Sequence, residues 1–160
     1  MRTIIFIISV LFLHGKCEQD QTIQDEKRPF EIPLLEFESV VKSGNALVID
    51  VREPDEVYEV RVDAKNYVNV PLKQVGSSLQ LSAGEFEKTY GVKKPSLDDD
   101  VVFICRSGKR SLTALKEARG LAFERSQHFV GGHLGWIANH PDLVVREKEE
   151  NEKTSRKDEF

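Results

Sequence analysis

The stretch Val101-Val102-Phe103-Ile104-Cys105-Arg106-Ser107-Gly108-Lys109-Arg110-Ser111 joins a strand signal to a helix signal through a basic turn. The apolar run Val101 to Ile104 has the length and character of a strand buried on both faces. Residues Leu112 to Ala118 read as a helix. Cys105 therefore stands where a strand ends and a helix begins. Arg106, Lys109 and Arg110 surround it, and Gly108 permits the positive φ that a tight turn often needs. The first N–H groups of a helix lack intrahelical acceptors and face whatever the loop holds. Successive N–H groups in a tight turn also form an anion-binding nest. A helix start with nearby cations favours the thiolate, which is the nucleophilic form of cysteine. The competing interpretation is an inert buried cysteine with solvated cations around it; the glycine turn and the basic cluster weigh against it.

Outward from this loop the chain alternates between strand and helix patterns. Leu34, Leu35, Phe37, Val40 and Val41 share one helical face, Pro33 suits the start of that helix, and Ser43-Gly44-Asn45 ends it at Ser43. Ala46 to Val51 is a continuous apolar run of strand length. Tyr67 to Val70 is a shorter strand stopped by Pro71. Ser82-Ala83-Gly84-Glu85 is a capping box for a helix through Tyr90, with Gly91 beyond it. His128-Phe129-Val130 reads as a fourth strand, Gly131-Gly132 as a turn, and Gly135 to His140 as a last short helix. Val57 to Asn66 gives only a weak signal for a short helix and loop. Such alternation predicts an α/β domain with a largely parallel sheet. Ligands of such sheets bind beyond the carboxyl ends of the strands, which is where Cys105, Arg52 and Glu53 fall.

The two ends differ from the middle. Residues 1–17 have a basic start at Arg2, an apolar run from Ile4 to Leu13, and the small residues Gly15 and Cys17 before an acidic segment. The run is shorter than the roughly 20 residues a spanning helix needs, and the pattern is that of a secretory signal peptide cleaved after Cys17. An uncleaved anchor and a mitochondrial targeting segment are the other readings, and the segment lacks the arginines and serines of the latter. Residues 18–30 read as a linker, 31–141 as the folded domain, and 142–160 as a charged tail. The tail ends Lys157-Asp158-Glu159-Phe160, which looks like an endoplasmic-reticulum retrieval signal with phenylalanine in the last place. The expected location is the lumen of that compartment, where a retrieval receptor would hold the protein, with secretion as the alternative.

At 160 residues, 39% apolar and 31% charged, the chain is ordinary material for one globular domain. Loss of residues 1–17 removes Arg2 and Lys16 and no acid, leaving 21 basic residues against 27 acidic ones, a net charge of −6. That balance excludes a nucleic-acid surface, and no membrane span is expected after the signal leaves. Of the two cysteines, Cys17 would go with the signal. Cys105 would then have no intramolecular disulfide partner in an oxidising compartment.

Four segments carry a family resemblance. They are Leu47-Val48-Ile49-Asp50-Val51-Arg52-Glu53, Asn69-Val70-Pro71-Leu72, Val102 to Ser111, and Val130-Gly131-Gly132 followed by Trp136. In this order and spacing they resemble the single-domain rhodaneses, the thiosulfate sulfurtransferase family, over about residues 31–141. The resemblance implies a doubly wound α/β fold with a mainly parallel five-stranded sheet flanked by helices. It implies that Cys105 carries sulfur as a persulfide. Where the family has a Gly-His-Ile-x-Gly-Ala-like segment, this chain has Arg61-Val62-Asp63-Ala64-Lys65-Asn66.

The expected activity is transfer of a sulfane sulfur from a small-molecule donor, thiosulfate or a persulfide, to a thiol acceptor or cyanide. Cys105 is the nucleophile. Arg106, Ser107, Gly108, Lys109, Arg110 and Ser111 form the substrate-binding loop. Asp50 and Arg52 are expected to pair and support the site from behind, Arg52 bonding loop carbonyls. Trp136 and Phe129 read as core, and His128, His133 and His140 as ordinary surface or turn residues, of which only His133 is near the site. No His/Cys cluster has zinc-ligand spacing, so neither metal nor cofactor is expected. A cell-cycle-type dual-specificity phosphatase would place its arginine six residues after the cysteine, whereas Arg110 comes five after Cys105 and the loop is one residue shorter. The rival from another class is a binding module of the same fold without turnover.

Overall fold

The computed structural model describes residues 29–146. Strands β1 (Leu47–Asp50) and β4 (Val101–Ile104) are buried at every position, as strands are when helices cover both faces of a sheet. They pair in parallel, with Leu47 opposite Val101 and Asp50 opposite Ile104. Strand β3 (Tyr67–Asn69) lies on the far side of β1 and strand β5 (Ser126–His128) on the far side of β4, both parallel. The sheet order is therefore β3-β1-β4-β5.

The sheet has four strands where the resemblance implied five. The fifth place is held by a single parallel bridge between Glu31 and His128. Its backbone bonds run from Ile32 N–H to His128 O (3.1 Å) and from His128 N–H to Phe30 O (2.8 Å). Pro33 follows at once and opens a helix, so the extended segment has no room to become a strand.

Helices α1 (Leu34–Ser43), α2 (Pro54–Glu59), α3 (Val75–Gln80), α4 (Ala83–Tyr90), α5 (Lys109–Gly120) and α6 (Gly132–Asn139) cover the sheet, with a short 3₁₀ turn at Leu72–Gln74 before α3. The α1 bounds match the sequence pattern, with Gly44 in the left-handed region at φ 74° closing the helix. The α4 capping box forms as expected: Glu85 N–H donates to Ser82 Oγ, and Ser82 N–H donates to Glu85 Oε2. Alternate side chains of β1 and β4 enter two cores. Leu47, Ile49, Val51 and Phe103 pack with Leu79, Leu115 and Phe123. Val48, Val102 and Ile104 pack with Phe37, Phe129 and Trp136 on the other face. There Phe37 stacks on Phe129 and meets Trp136 edge-on, with ring centroids 4.6 and 5.1 Å apart.

Three further elements depart from the sequence expectation. Strand β5 begins two residues earlier than the expected His128, because the polar Ser126, Gln127 and His128 are all buried in the sheet. Ser126 can be buried because its hydroxyl donates to Phe123 O (2.6 Å), and Arg119 bonds its carbonyl (2.7 Å). Helix α6 starts at Gly132 rather than Gly135, for a reason that lies in the site. Strand β2 (Arg61–Val62) pairs antiparallel with β6 (Val144–Val145), so ordered chain continues past residue 141. Among the described residues no helix is long and apolar enough to cross a membrane. Residues 1–17 and Lys157 to Phe160, which carry the signal-peptide and retrieval readings, lie outside the described residues.

Candidate active site

Strand β4 delivers Cys105 to the carboxyl edge of the sheet, and the chain turns through Arg106-Ser107-Gly108 into α5. The Cys105 side chain is only 1% exposed. Gly108 N–H donates to Cys105 Sγ at 3.2 Å. The first N–H groups of α5 lie beside this turn without intrahelical acceptors, at the positive end of the helix dipole.

Two glycines allow the turn to close. Gly108 has φ 86°, and a Cβ there would lie 2.3 Å from Val130 O. Gly132 has φ 56°, and a Cβ there would lie 2.6 Å from both Cys105 O and Arg106 O. The Val130-Gly131-Gly132 turn and the cysteine loop thus touch backbone to backbone. Helix α6 completes the clasp: His133 N–H donates to Cys105 O (2.7 Å) and Leu134 N–H to Arg106 O (3.1 Å). Those carbonyls need amide partners from the first turn of a helix, which is why α6 starts as early as Gly132.

The loop residues divide by placement. Arg106, Ser107 and Lys109 are exposed, and the two cations form no ion pair among the described residues. Arg110, by contrast, is bound to Glu56 of α2 through two bonds of 2.6 and 2.8 Å. The Arg110 guanidinium holds the Glu56 carboxyl well below the usual range, at about 2. Glu56 Oε2 also accepts the Glu53 N–H, so one carboxylate caps α2 and ties it to α5. Ser111 is fully buried. Its hydroxyl donates to Gly108 O (2.9 Å) and lies 3.6 Å from Cys105 Sγ and 3.2 Å from His128 Nδ1.

Asp50 and Arg52 form a buried ion pair, with Arg52 Nη2 2.7 Å from Asp50 Oδ2 and Arg52 Nε 3.0 Å from both carboxylate oxygens. Arg52 also donates to Glu56 O (3.3 Å) and Val60 O (2.9 Å) at the end of α2. The Tyr67 hydroxyl donates to Asp50 Oδ2 (3.0 Å), and Asn69 Nδ2 donates to the Asp50 and Arg52 carbonyls (2.9 Å each). Burial, reinforced by Asp50, pushes the Tyr67 phenol up, so it stays a donor. This network faces α2 and its backbone; it holds the wall that presents Glu56 to Arg110.

The histidines depart from their surface assignment. His128 and His133 are 3% and 2% exposed. His128 is carried inside by the polar strand β5. His133 enters with the first turn of α6, and burial, aided by the nearby Arg52, lowers its imidazole to about 4. His140 is half-buried and packs at a tilt against Trp136 with ring centroids 4.3 Å apart. Sequence reasoning gave Glu56, Tyr67 and Asn69 no role at the site and left His128 at the surface. Glu56 carried a usable signal: Glu53-Pro54-Asp55-Glu56 has proline at the first helical position and an acid at the third.

Fold and site together define a parallel α/β domain with a buried cysteine seated at a strand end, its sulfur accepting the Gly108 N–H. The rhodanese-like domain family matches residues 34–139, and the chain belongs to that family. It is 33% identical over 123 residues to the mouse thiosulfate sulfurtransferase/rhodanese-like domain-containing protein 3, covering 77% of this chain and 76% of that protein. It is 32% identical over 107 residues to the human thiosulfate:glutathione sulfurtransferase, covering 66% of this chain and 91% of the relative. The solved structure of the human single-domain sulfurtransferase TSTD1 superposes with a TM-score of 0.66 at 30% identity, covering 70% of this chain and 98% of the other.

Proposed function

We propose that this protein is a sulfurtransferase that carries sulfane sulfur on Cys105. The observation that carries this reading is the Gly108 N–H aimed at Cys105 Sγ in a glycine turn at the start of α5. The relatives named as thiosulfate sulfurtransferases support the reaction class.

The Cys105 thiolate attacks the outer sulfur of thiosulfate. A new S–S bond forms to Cys105, the sulfur–sulfur bond of thiosulfate breaks, and sulfite leaves with the bonding pair. The terminal persulfide sulfur is an anion, stabilised by the loop amides and the α5 dipole. An acceptor thiolate then attacks that sulfur and Cys105 departs as thiolate, which gives ping-pong kinetics. The exposed Arg106 and Lys109 attract the dianionic donor. Arg110 acts at one remove, by tying α2 to α5 through Glu56. The relative named for glutathione supports a small anionic thiol as acceptor.

The test is the mass of the full chain after incubation with thiosulfate. The Cys105 peptide gains one sulfur, and cyanide or glutathione removes it. No gain with thiosulfate or with a persulfide donor would overturn the reading in favour of a binding module.

The protein's place in the lumen of the endoplasmic reticulum is part of the same reading, supported by the pattern of residues 1–17 and by Lys157-Asp158-Glu159-Phe160. In cells the full chain is retained, and a chain lacking residues 157–160 is secreted. Equal retention of both removes the retrieval role, and absence of both from the secretory pathway removes the signal peptide.

A further inference from the structure

Ser111 Oγ has three polar neighbours and one proton. Gly108 O, at 2.9 Å, can only accept, so it takes the hydroxyl proton in the resting thiol state. Cys105 Sγ at 3.6 Å and His128 Nδ1 at 3.2 Å must then donate to the oxygen's lone pairs. The tautomer of His128 follows from its other nitrogen. Nε2 is buried and has no partner among the described residues. An unpaired lone pair is cheaper to bury than an unpaired N–H, so the proton sits on Nδ1, pointing at Ser111. Burial lowers the His128 imidazole despite the opposing charge of Glu31, which keeps the ring neutral at neutral pH. The backbone that carries the ring is fixed against the Phe30–Ile32 segment: His128 N–H donates to Phe30 O and His128 O accepts from Ile32 N–H.

We propose that His128 is a positioning residue for Cys105, acting through Ser111. The inference rests on the reading that Cys105 is the nucleophile. When Cys105 loses its proton, the sulfur can no longer donate to Ser111 and needs donors of its own. The Ser111 hydroxyl rotates from Gly108 O onto Sγ and joins the Gly108 N–H there. His128 Nδ1–H still donates to the same oxygen, holding it in place and polarising its O–H toward the thiolate. The chain from imidazole to hydroxyl to sulfur thus stabilises the reactive form with neutral groups. It does so from buried side chains, Ser111 and His128, while the exposed Arg106 and Lys109 are left to the anionic donor.

The test compares two amides that keep polarity but place it differently. In H128N the amide nitrogen falls near the position of Nδ1; in H128Q it reaches toward that of Nε2. The readout is the rate of iodoacetamide alkylation at Cys105 in the full chain at pH 7, followed on the Cys105 peptide. That rate reports the thiolate whether or not sulfur is transferred. H128Q slows alkylation about fivefold, the size of one hydrogen bond between neutral groups, and H128N stays within about twofold of wild type. S111A slows it to a similar degree, and adding H128Q to S111A slows it no further. Equal rates for wild type and H128Q, equal slowing by H128N and H128Q, or an additive loss in S111A/H128Q each overturn the proposal. Circular dichroism at the same pH checks that each variant is folded. Should H128Q not fold, H128A takes its place in both comparisons: unchanged alkylation in H128A, or a further loss when H128A is added to S111A, overturns the proposal.

Discussion

Replacing Cys105 by serine removes sulfur transfer altogether while the domain stays folded. The side chain is buried and its sulfur meets Gly108 N–H and Ser111 Oγ, two groups that a hydroxyl can also satisfy. The cost to stability is therefore that of a near-isosteric polar change, about 1 kcal/mol. Chemistry is another matter. A serine hydroxyl beside neutral amides has no adjacent base to take its proton, and oxygen forms no persulfide. Loss of a nucleophile that forms a covalent intermediate costs on the order of a thousandfold or more. Steady-state transfer from thiosulfate to glutathione or cyanide measures the loss, and denaturant unfolding measures the fold. Transfer retained by Cys105→Ser means that another group carries the sulfur, and the assignment of Cys105 is then wrong.

His133 makes the domain acid-sensitive over a defined range. Its imidazole is buried in the first turn of α6 and lowered to about 4 from an ordinary 6.5. In the unfolded chain it takes a proton below about 6.5; in the folded domain it does not until about 4. Between these values the unfolded state binds more protons, so stability rises with pH across the window and is fully present above it. The gap corresponds to roughly 3 kcal/mol lost as pH falls from 6.5 to 4. His133→Leu keeps the volume and removes the titration. Urea unfolding of both proteins at pH 7 and at pH 4.5 cancels the carboxylates they share, including Glu56. The wild type loses more stability than H133L over that interval, by about 2 to 3 kcal/mol. Parallel pH curves would show that His133 is solvated or paired in solution.

How far the site could be read in advance depends on the range of the interaction. Helix α1 and the α4 cap involve residues three or four apart, and their signals lie in one stretch of chain. Strand β4 declared itself as an unbroken apolar run, and β1 as one broken only by Asp50. The β5 strand did not, because Ser126, Gln127 and His128 look like loop until Phe123 O and Arg119 supply partners. The same holds for Arg110. Its place in a basic loop says cation near substrate, yet its guanidinium is bound by a carboxylate 54 residues earlier in the chain.

The amino-acid sequence by itself determined that this is a parallel α/β domain with one cysteine in a glycine turn between a strand and a helix. Those features follow from hydrophobic runs, caps and backbone freedom, which act between near neighbours. Only the tertiary structure decided which groups surround the sulfur. It brings the first amides of α6 onto the carbonyls of Cys105 and Arg106, sets Glu56 against Arg110, and turns His128 inward to Ser111. The carbonyls, amides and imidazole among these are polar groups that burial forces to find a partner, while the part-exposed Glu56 and Arg110 are drawn together by opposite charge. The partners come from elements far apart in sequence, and they meet only when the sheet closes.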